Sequence, residues 1–267
     1  IDAELFLKII TYNNDQIKKL YSFCLKINIF STRNSFMPTK TAVIIVAAGK
    51  GKRFGSKIPK QFLLLNNLPI LTYSLKMFMN HPEIQVIQTV INSEHSPFYQ
   101  KSMKTIEKLK NFKKILPPCF GGEERTLSVK SGLIALSNLK HTPEQVLIHD
   151  AARPLVSKKI IDAVLNNLAT FEAVFPALPM VDTVWQVKKN VYQLIKDRHL
   201  LIRAQTPQGF KFSSIFKAHQ ENDEFWAYDD IFLANKFGMP IRQVLGCENN
   251  LKITNDEDLI RAERLIT

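Results

Sequence analysis

Disulfide chemistry is the first thing this chain cannot rely on. Its 267 residues include three cysteines, Cys24, Cys119 and Cys247, far apart and without a CxxC spacing. That excludes a disulfide scaffold and a cysteine-held zinc, and a reducing, cytoplasmic location is expected. None of the six histidines shows metal-ligand spacing, so a tightly held zinc is not expected either. No apolar run approaches the roughly 20 residues that cross a bilayer, and no membrane partner is expected. Internal repeats and low-complexity tracts are also missing.

What is present is the profile of a globular chain. Hydrophobic residues make up 45% and charged residues 22%, which excludes disorder throughout. The charge is one-sided: 36 Lys+Arg against 24 Asp+Glu, a net +12. Such an excess attracts phosphate-bearing partners. A nucleic-acid binder places its basic residues in one stripe interleaved with aromatics. Here the lysines are scattered, and the sharpest cluster falls in a glycine-containing loop. Phosphorylated small molecules are therefore the expected partners, and nucleic acid is not.

Residues 1–38 differ in character from the rest. They carry some basic and apolar residues but no small-residue cleavage site behind a long apolar core, so they do not match a signal peptide. They are expected to be a non-catalytic extension, with one functional domain over 39–267.

From Thr41 the pattern is regular. The continuous apolar run at 42–46 is expected to be a strand buried on both faces, 146–149 another buried strand, and 86–91 and 173–177 further strands, with a weaker strand at 114–120. Helices are expected over 69–80, 97–109, 125–139 and, capped by Ser157, up to about 168. The C-terminal part is expected to hold a helix at 229–237, a strand at 241–245 and a helix at 255–266. This alternation predicts an α/β fold, a single Rossmann-like domain with a mostly parallel sheet. One segment breaks the rhythm. Residues 184–187 and 191–194 read as a hairpin, and the segment of about 181–203, carrying Trp185 and Tyr192, is expected to be an inserted dimerisation arm.

In a parallel sheet ligands bind beyond the carboxyl ends of the strands. Three unusual loops, at Gly49, Gly121 and Asp150, follow three predicted strands and should converge there. In the first, Ala47, Ala48, Gly49 and Gly51 let backbone approach a ligand closely, and consecutive N–H groups can form an anion nest. Lys50, Lys52, Arg53, Lys57 and Lys60 crowd positive charge around it. The loop is neither a P-loop nor a dinucleotide GxGxxG. Arg53 can grip phosphate with a planar fork and Lys60 supplies a point charge, as phosphoryl or nucleotidyl transfer requires. In the third loop, Asp150 can orient Mg²⁺, accept hydrogen bonds from sugar hydroxyls, or pair with Arg153. His149 is expected to be a core residue at the strand end.

The segments AAGKGKRFGSKIPKQF, GGEERTLSV, HDAARP, DTVW, DRHLLIRAQTPQGF and NNLKIT stand in the order seen in the 2-C-methyl-D-erythritol 4-phosphate cytidylyltransferase family, which the chain resembles from about Ala42 to its C-terminus. The resemblance implies transfer of a cytidylyl group from CTP to methylerythritol phosphate, with Mg²⁺ on the CTP phosphates rather than held by protein alone. It implies that Arg53 and Lys60 form the transition-state clamp. It assigns nucleotide binding to Ala47, Ala48, Gly49, Gly51, Gly122, Glu123, Arg125, Ser128, Asp150, Ala151 and Lys252. It assigns the acceptor to Asp150, Arg153, Thr183, Arg198 and Thr206. It further implies a homodimer in which Thr183 and Arg198, on the arm, reach the partner's site. Glu123 stands where the family often has Asp, and Lys52 where Arg is common. A ribitol 5-phosphate cytidylyltransferase, with very similar loops, is the alternative.

Overall fold

The computed structural model describes residues 40–49, 58–222 and 227–266. The expected extension, 1–38, lies outside them.

Strand β1, Thr41–Ala47, is buried along its length because neighbours flank it on both sides and helices cover both faces. It pairs in parallel with β4, Val86–Ile91, and with β6, Gln145–Asp150. Two short strands, β2 (Leu64–Leu65) and β3 (Leu68–Pro69), form a separate hairpin. Strand β5, Cys119–Phe120, pairs in parallel with the end of β4. Beyond β6 the main sheet continues through β11 (Gln208–Lys211) and β7 (Ala173–Pro179) to β12 (Ile241–Leu245). Strand β10, Ile202–Ala204, adds to β7 in antiparallel sense.

The period of two along β1 divides the core. Val43, Ile45 and Ala47 point to one face, with α1 (Ile70–Asn80), α2 (Ser96–Lys104) and α4 (Lys158–Asn167) packed there. Ala42 and Ile44 point to the other, against α3 (Arg125–Ser137), α5 (Phe212–Glu221) and α6 (Asp230–Lys236). Helix α3 lies close on the sheet: a Cβ at Gly132 would come 2.9 Å from Ile44 Cγ2. The C-terminal helix α7, Asp256–Ile266, forms a smaller core with β2 and β3 around Leu65, Ile70 and Ile253.

The doubly covered, mainly parallel sheet is as expected, with several differences. The strand expected at 114–120 is reduced to β5, because Pro117 and Pro118 bring no N–H to a ladder. The helix expected over 97–109 stops at Lys104 and gives way to turns. Strands β10 and β11 and helix α5 were not foreseen. The sheet is therefore mixed, with antiparallel β11 between parallel β6 and β7. The hairpin is present as β8 (Trp185–Lys188) and β9 (Val191–Leu194), paired to each other and exposed throughout. Its segment is shorter than expected at the far end: Arg203 stands in β10 opposite Leu178, so it belongs to the main sheet.

Candidate active site at the strand ends

Register brings the three loops together. Ala47 pairs with Ile91, Val46 with Asp150, and Ile91 with Phe120, so β1, β4, β5 and β6 end level with one another. The loop after β1 is held by a residue that sequence reasoning passed over. Gln61, buried, donates through Nε2 to the carbonyls of Ala47 (2.7 Å) and Gly49 (3.1 Å). Gln61 lies in a short 3-10 turn, Lys60–Phe62, whose Phe62 stacks on Phe98. This fixes the backbone from which Lys60 extends. Gly51 and Arg53 lie outside the described residues.

The Gly121 loop touches the first loop directly. A Cβ at Gly121 would overlap the Ser128 hydroxyl and come 2.6 Å from Ala48 Cβ, so only glycine fits without a shift. Ser128 is buried, and its hydroxyl donates to the Glu124 carbonyl at 3.1 Å. Gly122 and Glu123 are exposed beside it.

Asp150 closes β6 in a cluster of cations. Its Oδ1 accepts from Arg125 Nε at 3.2 Å, and its Oδ2 pairs with Lys252 Nζ at 2.7 Å. The alternative pair with Arg153 is not formed: Arg153 Nη1 donates to the Asn250 carbonyl instead, at 2.7 Å. Burial alone would raise the Asp150 carboxyl. Arg125 first, then Lys252 and Arg153, outweigh it and hold Asp150 far below the ordinary carboxylate range. Arg125 reaches further, donating through Nη1 to Asp230 at 2.7 Å. Asp230 is buried, and although burial raises its carboxyl, Arg125 and His219 bring it below its ordinary value. Removing one partner of such a buried pair costs about 3–5 kcal/mol.

His149, as expected, is a core residue, and it organises the Asp150 loop. Its Nε2 lies 3.0 Å from the Arg153 carbonyl, which can only accept, so Nε2 carries the proton. Its Nδ1 then accepts from the Thr206 hydroxyl at 3.1 Å, and that hydroxyl accepts from the Asp150 amide at 3.1 Å. Burial pushes the imidazole down to about 4, so the ring is neutral at pH 7. Thr206 thus stands against the cluster with its hydroxyl engaged internally. Ala151 is buried, its amide donating to the Val46 carbonyl at 3.1 Å.

The NNLKIT segment is drawn in by residues not singled out from sequence. Asn250 Nδ2 donates to the Thr206 carbonyl at 2.9 Å, and Gln205 Nε2 to the Cys247 carbonyl at 2.8 Å. The Ile253 amide donates to the Ala152 carbonyl at 2.8 Å. These bonds carry Lys252 to Asp150.

Ala47, Ala48, Gly49, Ser128, Arg125, Asp150, Ala151, Thr206 and Lys252 are therefore brought together, with Arg153 just behind. Thr183 and Arg198 are not. They lie exposed beside the hairpin, with Arg198 Nη1 donating to the Val181 carbonyl at 3.0 Å. Among the described residues no hydrogen bond or ion pair joins either to Asp150, Arg153 or Lys252. Nor does any group of three or more His, Cys, Asp or Glu side chains there form a metal cage.

Comparison with known proteins follows the same residues. The family model described as IspD, 2-C-methyl-D-erythritol 4-phosphate cytidylyltransferase, matches residues 41–267. The chain is 39% identical over 226 residues to a bifunctional IspD/IspF enzyme of Rhodospirillum rubrum, covering 85% of this chain and 57% of that protein. It is 36% identical to a 2-C-methyl-D-erythritol 4-phosphate cytidylyltransferase of Geobacter metallireducens, covering 84% of this chain and 96% of the other. The chain thus spans little more than half of the bifunctional relatives it matches and nearly all of the shorter one. Among solved structures, the enzyme of that same name from Francisella tularensis superposes with a TM-score of 0.69 at 32% identity, covering 84% of this chain and 99% of the other.

Proposed function

The chain belongs to the 2-C-methyl-D-erythritol 4-phosphate cytidylyltransferase family, and from that premise we propose that it transfers a cytidylyl group from CTP to 2-C-methyl-D-erythritol 4-phosphate, releasing pyrophosphate. The observation that carries this reading is the strand-end cluster. Asp150 and Lys252 meet there beside a loop whose carbonyls Gln61 holds, and Gly121 lies close against Ala48.

The chemistry asks for charge stabilisation and alignment. An oxygen of the acceptor phosphate attacks the α-phosphorus of CTP, the new O–P bond forms, and the bond to the β-phosphate oxygen breaks as pyrophosphate leaves. In this reading Arg53 and Lys60 stabilise the charge that grows on the α-phosphate. Backbone groups around Ala47, Ala48 and Gly122, with Ser128, face the base. Glycines 49 and 51 open the backbone N–H groups to the phosphates. Asp150 keeps lone pairs beyond those taken by Arg125 and Lys252, and these suit ribose hydroxyls. Lys252, paired with Asp150, would meet the nucleotide phosphates, and Arg153, just behind the cluster, the anionic acceptor.

Mg²⁺ characteristically keeps waters and binds through one or two carboxylates plus substrate phosphates. Asp150, a carboxylate at the strand ends, fits an ion that arrives on CTP, where it would neutralise triphosphate charge.

The hairpin supports a homodimer. Trp185, Val187, Val191 and Tyr192 are each more than half exposed, an apolar surface that a second subunit would cover. Thr183 and Arg198 would then serve the partner's acceptor site. Cys119 and Cys247 are in no disulfide, and no described helix is long and apolar enough to cross a membrane.

The test is pyrophosphate release with CTP and either methylerythritol phosphate or ribitol 5-phosphate. Release with the first acceptor at a kcat/KM at least about ten-fold above the second is expected. The reverse order, or equal use of ATP, overturns the reading.

A further inference from the structure

The ion pairs at the strand ends do not stop at Asp150. They run inward from Lys252, 39% exposed, through Asp150 and Arg125 to Asp230, 1% exposed, which is hydrogen-bonded to the buried His219. Asp230 is fastened from several sides. His219 Nε2 lies 3.1 Å from its Oδ1, and its own amide donates to Gln208 Oε1 at 3.1 Å. Gln208 in turn donates to Asp229 at 2.8 Å, and Asp229 caps helix α6. Only the second carboxylate oxygen is turned outward, and it meets Arg125 Nη1 at 2.7 Å.

A buried carboxylate is a poor device for stability, since well-packed apolar groups commonly do as well. Its value here is geometric. A guanidinium is planar, and Asp230 at Nη1 restrains how that plane can turn about the side chain's stem. With the plane restrained, Asp150 Oδ1 has one place to sit, and Oδ2 is left facing Lys252. With Asp230 neutral, the guanidinium keeps one anionic anchor and can swing about it, taking the Asp150 carboxylate along.

We infer that Asp230, 105 residues away in sequence, is a positioning residue for the strand-end site, holding Arg125 so that Asp150 is aimed at Lys252. The inference rests on the cytidylyl-transfer reading for its consequence in turnover, but its geometric content is independent of it.

The experiment compares wild type, Asp230→Asn, Arg125→Met and the double variant. Asp230→Asn lowers kcat for pyrophosphate release about ten- to a hundred-fold, the scale of a small misplacement of reacting groups, and raises KM for CTP as Asp150 leaves its place. In the Arg125→Met background the same change has less than about a two-fold further effect, because the residue acts through Arg125. Unchanged kcat in Asp230→Asn, or equal losses in both backgrounds, overturns the inference; a merely destabilising role gives the latter. Hydrogen exchange at Arg125 Nε–H supplies a reading without turnover. Wild type exchanges at least about ten-fold more slowly than free arginine, and Asp230→Asn loses that protection while β6 amides keep theirs. Exchange in wild type at the free-arginine rate overturns the inference even if the variants do not fold. Slow exchange in a wild type that releases no pyrophosphate removes the cytidylyl-transfer reading and leaves the positioning role standing.

Discussion

The strand-end cluster and the β8–β9 hairpin are opposite in construction. At the cluster, Asp150, Thr206, His149 and Gln61 are buried, and each is hydrogen-bonded inside the chain. On the hairpin every residue of both strands is exposed, five of them large and apolar. At the cluster the described side chains are held from within one chain. On the hairpin the apolar side chains are left exposed. If the acceptor needs both, catalysis divides into a part that a subunit preorganises and a part that it lends.

The sharpest way to test that division is to remove charge from the preorganised side. Lys60→Ala is expected to lower kcat by about two powers of ten or more, as loss of a transition-state donor does, with the fold unchanged by circular dichroism. Wild-type turnover in this variant would remove Lys60 from the clamp.

The next concerns the interior of the cluster. His149 titrates near 4 when folded against about 6.5 unfolded, a pKa depressed chiefly by burial. In that window the unfolded chain binds more protons, so the associated stability is present above about pH 6.5 and is lost as pH falls toward 4. Its full size is about 3 kcal/mol. Urea unfolding at several pH values should show wild type losing stability over this range more steeply than His149→Gln; parallel slopes would remove His149 as the source.

On the hairpin side, Arg198→Ala is expected to raise KM for the acceptor about ten-fold, as loss of one charge-assisted contact would, with KM for CTP nearly unchanged. Mixing this variant with Lys60→Ala should then restore activity through hybrid dimers. A mixture as inactive as its parents after verified subunit exchange breaks the comparison, because both sets of residues would then belong to one chain's site.

The smallest effect is expected at the seam between two loops. Gly121→Ala forces a Cβ against the Ser128 hydroxyl and Ala48. Ser128 can turn aside, so a rise in KM for CTP of about three- to ten-fold is expected, within the usual range of a small steric change. Isothermal titration with CTP checks it, and an unaltered affinity would place the nucleotide away from this seam.

Much of this was legible before the structure. Strands β1 and β6 carry continuous apolar runs that end at small or polar residues, and the three loops, after β1, β5 and β6, do converge. The Ser157 cap and both hairpin strands also stand where expected. Other elements carried too weak a signal. Strand β11 is four residues long and contains Gly209, too short and too plain to declare a period. Gln61, Gln205 and Asn250 lie within motifs quoted from the sequence, yet their roles depend on which carbonyls they meet. Asp230 falls in the helix expected at 229–237, where nothing in its neighbours marks Arg125 as its partner.

The sequence by itself determined the alternation of strand and helix, the small residues at the strand ends and the basic character of the first loop. Those properties are local, written in the period and chemistry of neighbouring residues. Only the tertiary structure decided that Asp150 pairs with Arg125 and Lys252 rather than with nearby Arg153, and that Arg125 is held from behind by Asp230. The physical reason is one of distance. An ion pair depends on separation in space, and residues 102 and 105 positions apart acquire that proximity only when the sheet brings its strand ends level.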